Sequence, residues 1–213
     1  LIKQDGFNGS HNVNIKFNKN EITPSEYIGK SIEIYTKLIS KLNPDIILLL
    51  GDRYETLSFG LASFFLKKNI AHIGGGEITL GAMDDNLRHC LSKLAKWHFV
   101  YHSKYRQRLI QLGENPKYIY NYGSIGSENI SNTDFYIKKE IEKILKFKFM
   151  KKNLLITFHP STLDKESSLI QLKRLVKVLD SLKDTFLIFT SSNNDVEGLK
   201  INNKLIKYTK KNK

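Results

Sequence analysis

Residues 70–99 read IAHIGGGEITLGAMDDNLRHCLSKLAKWHF. The stretch opens on a short apolar run, breaks into three glycines, Gly74, Gly75 and Gly76, and delivers a carboxylate at Glu77. From Asp84 onward the apolar residues take a helical spacing, with Leu87, Leu91 and Leu94 on one face. The apolar run HFVY then begins at His98. Strand, turn, helix and strand in this space form a βαβ unit, whose crossover helix lays the two strands parallel.

The same alternation extends in both directions. Upstream, TPSEYIGKSIEIYTKLISKL reads as a helix over 24–42, with Thr23 as N-cap, Pro24 in the first turn and Glu26 completing a capping box. Ile28, Ile32, Tyr35, Ile39 and Leu42 supply its apolar stripe, and Asn43-Pro44 ends it. DIILLL (45–50) is a continuous apolar run, the pattern of a core strand covered on both faces of a parallel sheet. GDRYETLSFGLASFFLKK (51–68) turns from it into a helix. Downstream, SKYRQRLIQLG is a helix ended by Gly113, and YIYNYG is a strand. After SIGSENISNTD comes a charged helix over 135–149. NLLITFHP, SSLIQLKRLVKVLDSL, TFLIFTSS and VEGLKINNKLIKYTKK then repeat strand, helix, strand, helix, with FLIFT as a core strand.

The expected fold class is therefore α/β, with two Rossmann-like parallel-sheet domains. Residues 1–128 form the first, 129–152 a bridging helix and linker, and 153–213 the beginning of the second. Leu1 to Asn20 is polar and reads as loop. Both units carry fewer strands than isolated domains of this type, so both are expected to be incomplete here.

Composition narrows the function classes. The net charge is +13, but only 5 of the 34 basic residues are arginine, the residue suited to bidentate phosphate and base contacts. The lysines are dispersed, and no nucleic-acid-binding motif appears, so a nucleic-acid partner is not expected. No apolar run approaches the roughly 20 residues of a membrane helix, so no membrane partner is expected either. The single cysteine, Cys90, excludes an internal disulfide and suits a reducing, cytoplasmic setting. Its place in a helical pattern reads as a small core residue. The chain begins at Leu1, so a preceding targeting segment stays open.

In open parallel sheets, ligands bind beyond the C-terminal ends of the strands. Four strand ends here are polar: Asp52 and Arg53, then Glu77, then His159, then Asn193 with Asp195. Asp52 could equally cap the next helix. Gly74-Gly75-Gly76 is neither a P-loop nor a dinucleotide fingerprint. It is either a tight turn or a place where a sugar or nucleotide approaches the backbone. Asp84 and Asp85 open a helix, where the macrodipole favours negative charge, and Arg88 lies four residues after Asp84. His159 stands before Pro160, where an imidazole suits acid–base work or a phosphate contact. His72, inside a strand, reads as structural, and His11, His98 and His102 have no metal-site spacing.

Taken in order, PDIILLLGDRYETL, the stretch from Ile70 to Val100, YRQRLIQLGENP, GSIGSENI, LLITFHPSTL and FTSSNNDVEGLKIN resemble the UDP-N-acetylglucosamine 2-epimerase family, and most closely its hydrolysing branch. The resemblance implies two Rossmann-like domains facing each other across a cleft, as in B-type glycosyltransferases. It implies removal of the C2 proton with departure of UDP, a 2-acetamidoglucal, and water addition to give N-acetylmannosamine for sialic-acid-type sugars. A GDP-linked diacetylbacillosamine is a related substrate. No cofactor is implied; the partner is a UDP-sugar, and a homo-oligomer is a family habit. Asp52, Asp84 and His159 match catalytic positions. Glu77, Arg88, Arg53 and Asn193 fall at the substrate. Several members carry a glutamate directly after the HI of this strand, where Gly74 stands here. The family's first strand should precede Leu1 and its uridine-diphosphate segment should follow Lys213, so a fragment is expected, with the activity of the isolated chain left open. The alternatives are a non-hydrolysing epimerase, a B-type glycosyltransferase and a binding protein without turnover.

Overall fold

The computed structural model describes Gly6, Val13 and residues 23–159, 161, 163, 165–193 and 197–211. The chain divides into two compact units, Leu1–Ile78 with Asp84–Ser124, and Thr79–Met83 with Ile125–Lys213.

In the first unit, helix α1 (Pro24–Leu42) is followed by β1 (Ile46–Leu50), α2 (Tyr54–Phe65), β2 (Asn69–Ile73), α3 (Met83–Leu94), β3 (Trp97–Val100), α4 (Ser103–Gln111) and β4 (Ile119–Asn121). The sheet order is β1-β2-β3-β4 and every pairing is parallel. Each successive strand is thus the neighbour of the last, as a run of βαβ units requires. The start of α1 follows its sequence signals. Thr23 Oγ1 accepts from the Glu26 amide at 3.2 Å, and the Glu26 carboxylate accepts from the Thr23 amide at 2.8 Å. At the other end Asn43 adopts a left-handed φ of 46°. Helix α4 ends before Gly113, whose φ is 89°.

The core of this unit joins Ile39 of α1, Ile47 and Leu49 of β1, Leu57 and Ala62 of α2, Ile70 of β2, and Leu91 and Ala95 from α3 and its end. A second cluster holds Val100, Leu109 and Ile119. One expectation for β1 fails. Among the described residues it is covered on one face: Ile46, Leu48 and Leu50 are 52%, 62% and 60% exposed. β1 is the edge strand, and α1 and α2 pack on the side of Ile47 and Leu49. Cys90 also departs from the core reading: it is exposed. It lies on the flank of the Leu87–Leu91–Leu94 stripe rather than along it, about 60° around the helix from Leu87.

The second unit contains α5 (Ile125–Ser131), α6 (Lys138–Leu145), β5 (Lys152–Ile156), α7 (Ser168–Leu179), β6 (Thr185–Phe189) and α8 (Gly198–Lys211), with β5 and β6 parallel. Leu172 of α7 and Ile201 and Leu205 of α8 form its core, with Phe158 and Phe189 packed on it. β6 is half-buried along its whole length instead of being a core strand; among the described residues β5 is its one pairing partner. The charged helix is shorter than expected. Ile137 takes the N-cap position and Lys146 closes the helix with a φ of 57°. The segment before it is helical as α5, which no apolar period marks. Among the described residues no helix is long and apolar enough to cross a membrane.

Candidate functional site

Three strand ends of the first unit carry the polar groups. β1 ends in Gly51, which has a φ of 85° and donates its amide to the Ile73 carbonyl at 3.1 Å. That left-handed turn is cheap for glycine and redirects the chain so that Asp52 follows the strand end. Arg53, not Asp52, occupies the N-cap position of α2. The Asp52 carboxylate instead accepts a hydrogen bond from Arg88 Nη2 on α3. The Arg88 side chain is 5% exposed and that of Asp52 is 24% exposed. Arg88 also lies 3.7 Å from Asp85, at i−3 on its own helix. A buried guanidinium needs such carboxylates, because the interior solvates charge poorly. Asp84 and Asp85 stand in the first turn of α3, and His89 Nε2 is 3.9 Å from Asp85. Arg53 pairs with Glu55 at 3.2 Å and lies over the Tyr54 ring.

Each glycine after β2 has its own reason. Gly74 (φ 83°) donates to the Phe99 carbonyl at 2.9 Å, and a Cβ there would sit 3.4 Å from the Tyr101 hydroxyl. At Gly75 a Cβ would stand 2.8 Å from Ser92 Oγ and 3.2 Å from His72 Nδ1. At Gly76 (φ 80°) a Cβ would run into the Tyr105 carbonyl, while the Gly76 carbonyl accepts from Arg108. Gly74 and Gly76 thus take the left-handed conformation of a tight turn, and Gly75 and Gly76 lie where the chain packs closely on Ser92 and Tyr105. The turn packs on α3 and α4 and delivers a half-buried Glu77.

Tyr101, just past β3, is a further candidate the motif reading passed over. Burial raises its phenol above the ordinary value, and the charges of Glu77 and Asp52 add to that shift. Its phenol therefore lies within the field of both carboxylates. The signal was available: Tyr101 follows a strand end as Asp52 and Glu77 do. His72 is fully buried, and burial pushes it down to about 4 against the bond to the Gly51 carbonyl. His98 is buried with Nε2 3.3 Å from Glu114, which also takes Lys93 at 2.5 Å; burial lowers it while Glu114 opposes. His102 caps α4 by accepting from the Lys104 amide at 3.1 Å. Among the described residues no group of three or more His, Cys, Asp or Glu is placed to hold a metal ion.

In the second unit the structure brings together two of the expected residues. His159, beyond β5, accepts at Nδ1 from the Asn193 amide at 3.5 Å, and Ser192 Oγ lies at the same distance. Asn202 of α8 holds this strand end, accepting from the Ser192 amide at 2.7 Å and donating to its carbonyl at 3.0 Å. Gly198 opens α8 beneath the Asn193 carbonyl, where no Cβ fits. Pro160, Asp195 and His11 lie outside the described residues.

Residues 2–213 match a family model described as UDP-N-acetylglucosamine 2-epimerase. Over 195 residues the chain is 42% identical to the GDP/UDP-N,N'-diacetylbacillosamine 2-epimerase (hydrolyzing) of Campylobacter jejuni, covering 92% of this chain and 51% of that protein. It is 34% identical over 214 residues to the polysialic acid biosynthesis protein P7 of Escherichia coli, covering 98% and 53%. The chain thus spans about half the length of the curated relatives it matches. The crystal structure of a UDP-GlcNAc 2-epimerase from Neisseria meningitidis bound to UDP-GlcNAc superimposes with a TM-score of 0.68 at 20% identity, covering 89% of this chain and 60% of that one. At that identity the likeness speaks for the fold alone.

Proposed function

Since this chain belongs to the UDP-N-acetylglucosamine 2-epimerase family, we propose that it acts as a hydrolysing nucleotide-sugar 2-epimerase. The observation that carries this reading is its 42% identity, over 92% of its length, to a protein described as a hydrolysing 2-epimerase. The pairing of Asp52 with Arg88 at a parallel-sheet strand end supports it.

The difficulty of the reaction is that C2–H of a sugar is a poor acid. A carboxylate must take that proton while the C1–O bond breaks and the diphosphate leaves with the electron pair. The product is a C1–C2 double bond. Water then adds its hydroxyl to C1, and a proton returns to C2 from the opposite face. The electrons stay within the sugar, so the chemistry calls for no redox cofactor. In this reading Asp84 and Asp52 serve the proton steps and Glu77, Arg88 and Arg53 hold the sugar. His159, oriented by Asn193, donates to the departing diphosphate. Residues 1–128 form the sugar-side domain, 129–152 the bridge and 153–213 the start of the nucleotide domain. The enzyme works in the cytoplasm as a homo-oligomer.

The favoured substrate is a UDP- or GDP-linked diacetylated sugar, after the name of the Campylobacter relative. UDP-N-acetylglucosamine is the second reading, supported by the family description. The test is incubation with each nucleotide sugar in heavy water. Release of the nucleoside diphosphate together with deuterium at C2 of a free sugar is expected. A nucleotide-linked epimer would mean a non-hydrolysing enzyme, and sugar transfer without C2 exchange a glycosyltransferase. Binding without release or exchange overturns enzymatic function altogether.

A further inference from the structure

We infer that His72 is a positioning residue for the Asp52 carboxylate: its imidazole clamps the carbonyl of Gly51, one residue before Asp52, to Ser92 on α3, the helix that carries Arg88. The inference rests on the proposed function only for its effect on turnover.

The atoms define the clamp. His72 Nε2 lies 2.8 Å from the Gly51 carbonyl oxygen and Nδ1 lies 3.1 Å from Ser92 Oγ. A carbonyl only accepts, so Nε2 carries the proton and donates. Nδ1 is then the acceptor, and the single Ser92 hydroxyl proton is shared between Nδ1 and the Arg88 carbonyl, 3.0 Å away. The ring therefore binds the backbone next to Asp52 at one edge. At the other it binds the side chain that holds the backbone of Arg88. These are the two residues that form the buried ion pair.

The surroundings are built to fit. The Gly51 peptide is held at both ends, by its amide on Ile73 and by its carbonyl on His72. Gly75 leaves room where a Cβ would press on Ser92 Oγ and His72 Nδ1. The ring is wholly buried, with His98 its register partner on β3. Burial keeps it neutral near pH 7, the state in which Nδ1 accepts. A reacting group displaced by about 1 Å can cost a hundredfold in rate, so the clamp has leverage on turnover.

The experiment separates the two ring nitrogens in the full chain. Gln places an amide nitrogen near the position of Nε2, and Asn near that of Nδ1. His72→Gln should recover most of kcat, within about threefold. His72→Asn should lower kcat by about ten- to a hundredfold with KM within about threefold. Ser92→Ala should lower kcat by about three- to tenfold. Hydrogen exchange at the Gly51 amide is read in parallel and is independent of turnover. It should quicken about tenfold in His72→Asn and stay near wild type in His72→Gln. Should His72→Asn not fold, His72→Gln and Ser92→Ala decide. Wild-type kcat in His72→Asn or Ser92→Ala, or a His72→Gln as impaired as His72→Asn, overturns the inference. So does unchanged Gly51 exchange in a folded His72→Asn. A wild type that turns over no nucleotide sugar overturns the proposed function instead, and the exchange pattern still decides the clamp.

Discussion

Asp52 and Arg88 stand 36 residues apart in sequence and meet as an ion pair, the carboxylate from the turn after β1 and the guanidinium from the middle of α3. The contact joins two successive βαβ units at the end of the sheet where parallel folds place their ligands. The guanidinium is the more deeply buried partner, so the two ends of the pair are not equivalent.

That asymmetry predicts unequal costs. Asp52→Ala takes a paired carboxylate from a buried cation and leaves Asp85 at 3.7 Å. We expect a loss of about 2–3 kcal/mol, discounted from the fully buried case because Asp52 reaches solvent. Arg88→Met leaves a carboxylate that water can solvate, and it should cost less. In the double variant the two losses should fall short of additivity by about 1 kcal/mol or more. Chemical denaturation of the four proteins measures this, and strict additivity would refute the pairing.

Acid should weaken the fold before the carboxylates titrate fully. The buried ring of His72 is held down to about 4, against 6.5 for an ordinary histidine. The fold thus favours the neutral form. The resulting stability is complete above pH 6.5 and is lost as pH falls from 6.5 towards 4, by about 3 kcal/mol at most. His98 shifts in the same direction. The denaturation midpoint should fall over this range, and His72→Asn should remove the His72 share of the slope.

Two substitutions test the proton chemistry without large effects on packing. Asp84→Asn should lower turnover by about a hundredfold or more while UDP binding survives. Tyr101→Phe removes a hydroxyl that lies within the fields of Glu77 and Asp52. It should lower kcat about tenfold, with stability changed by less than about 1 kcal/mol. Full activity in Asp84→Asn would remove that residue from the mechanism.

The glycine turn makes a fourth case. Gly76→Ala combines a φ of 80° with a backbone obstacle at Tyr105 and should cost about 2 kcal/mol or more. Gly75→Ala meets a side chain, Ser92 Oγ, at 2.8 Å. Pairing it with Ser92→Ala should therefore restore part of the loss, whereas no side-chain change should rescue Gly76→Ala. Thermal melts of these variants check both.

Much of this was legible in the residues. The capping box of Thr23 and Glu26, the alternation of apolar runs with 3.6-residue periods, and the polar strand ends are all local signals. They yielded the parallel α/β class and brought Asp52, Arg88, Glu77, His159 and Asn193 into view. What stayed hidden depends on which element lies next to which. DIILLL has the same composition whether one face or two are covered, and the packing of α1 and α2 on the Ile47–Leu49 side leaves Ile46, Leu48 and Leu50 on the exposed face. The capping alternative for Asp52 could be judged only once α3 brought Arg88 alongside. Cys90 sits close enough to an apolar stripe to pass for part of it. Tyr101 carries no motif, and its interest comes from two carboxylates distant in sequence.

The triplet Gly74-Gly75-Gly76 has a consequence for how this chain can vary. Gly74 and Gly76 are held by their left-handed φ of 83° and 80°, Gly76 also by the Tyr105 backbone, and Gly75 by the Ser92–His72 pair. A change at Ser92 can open Gly75 and leaves the other two held by their backbone. In a saturation library of this loop, tolerance should appear first at Gly75, and only alongside a change at Ser92. Gly76 should stay glycine in every functional clone.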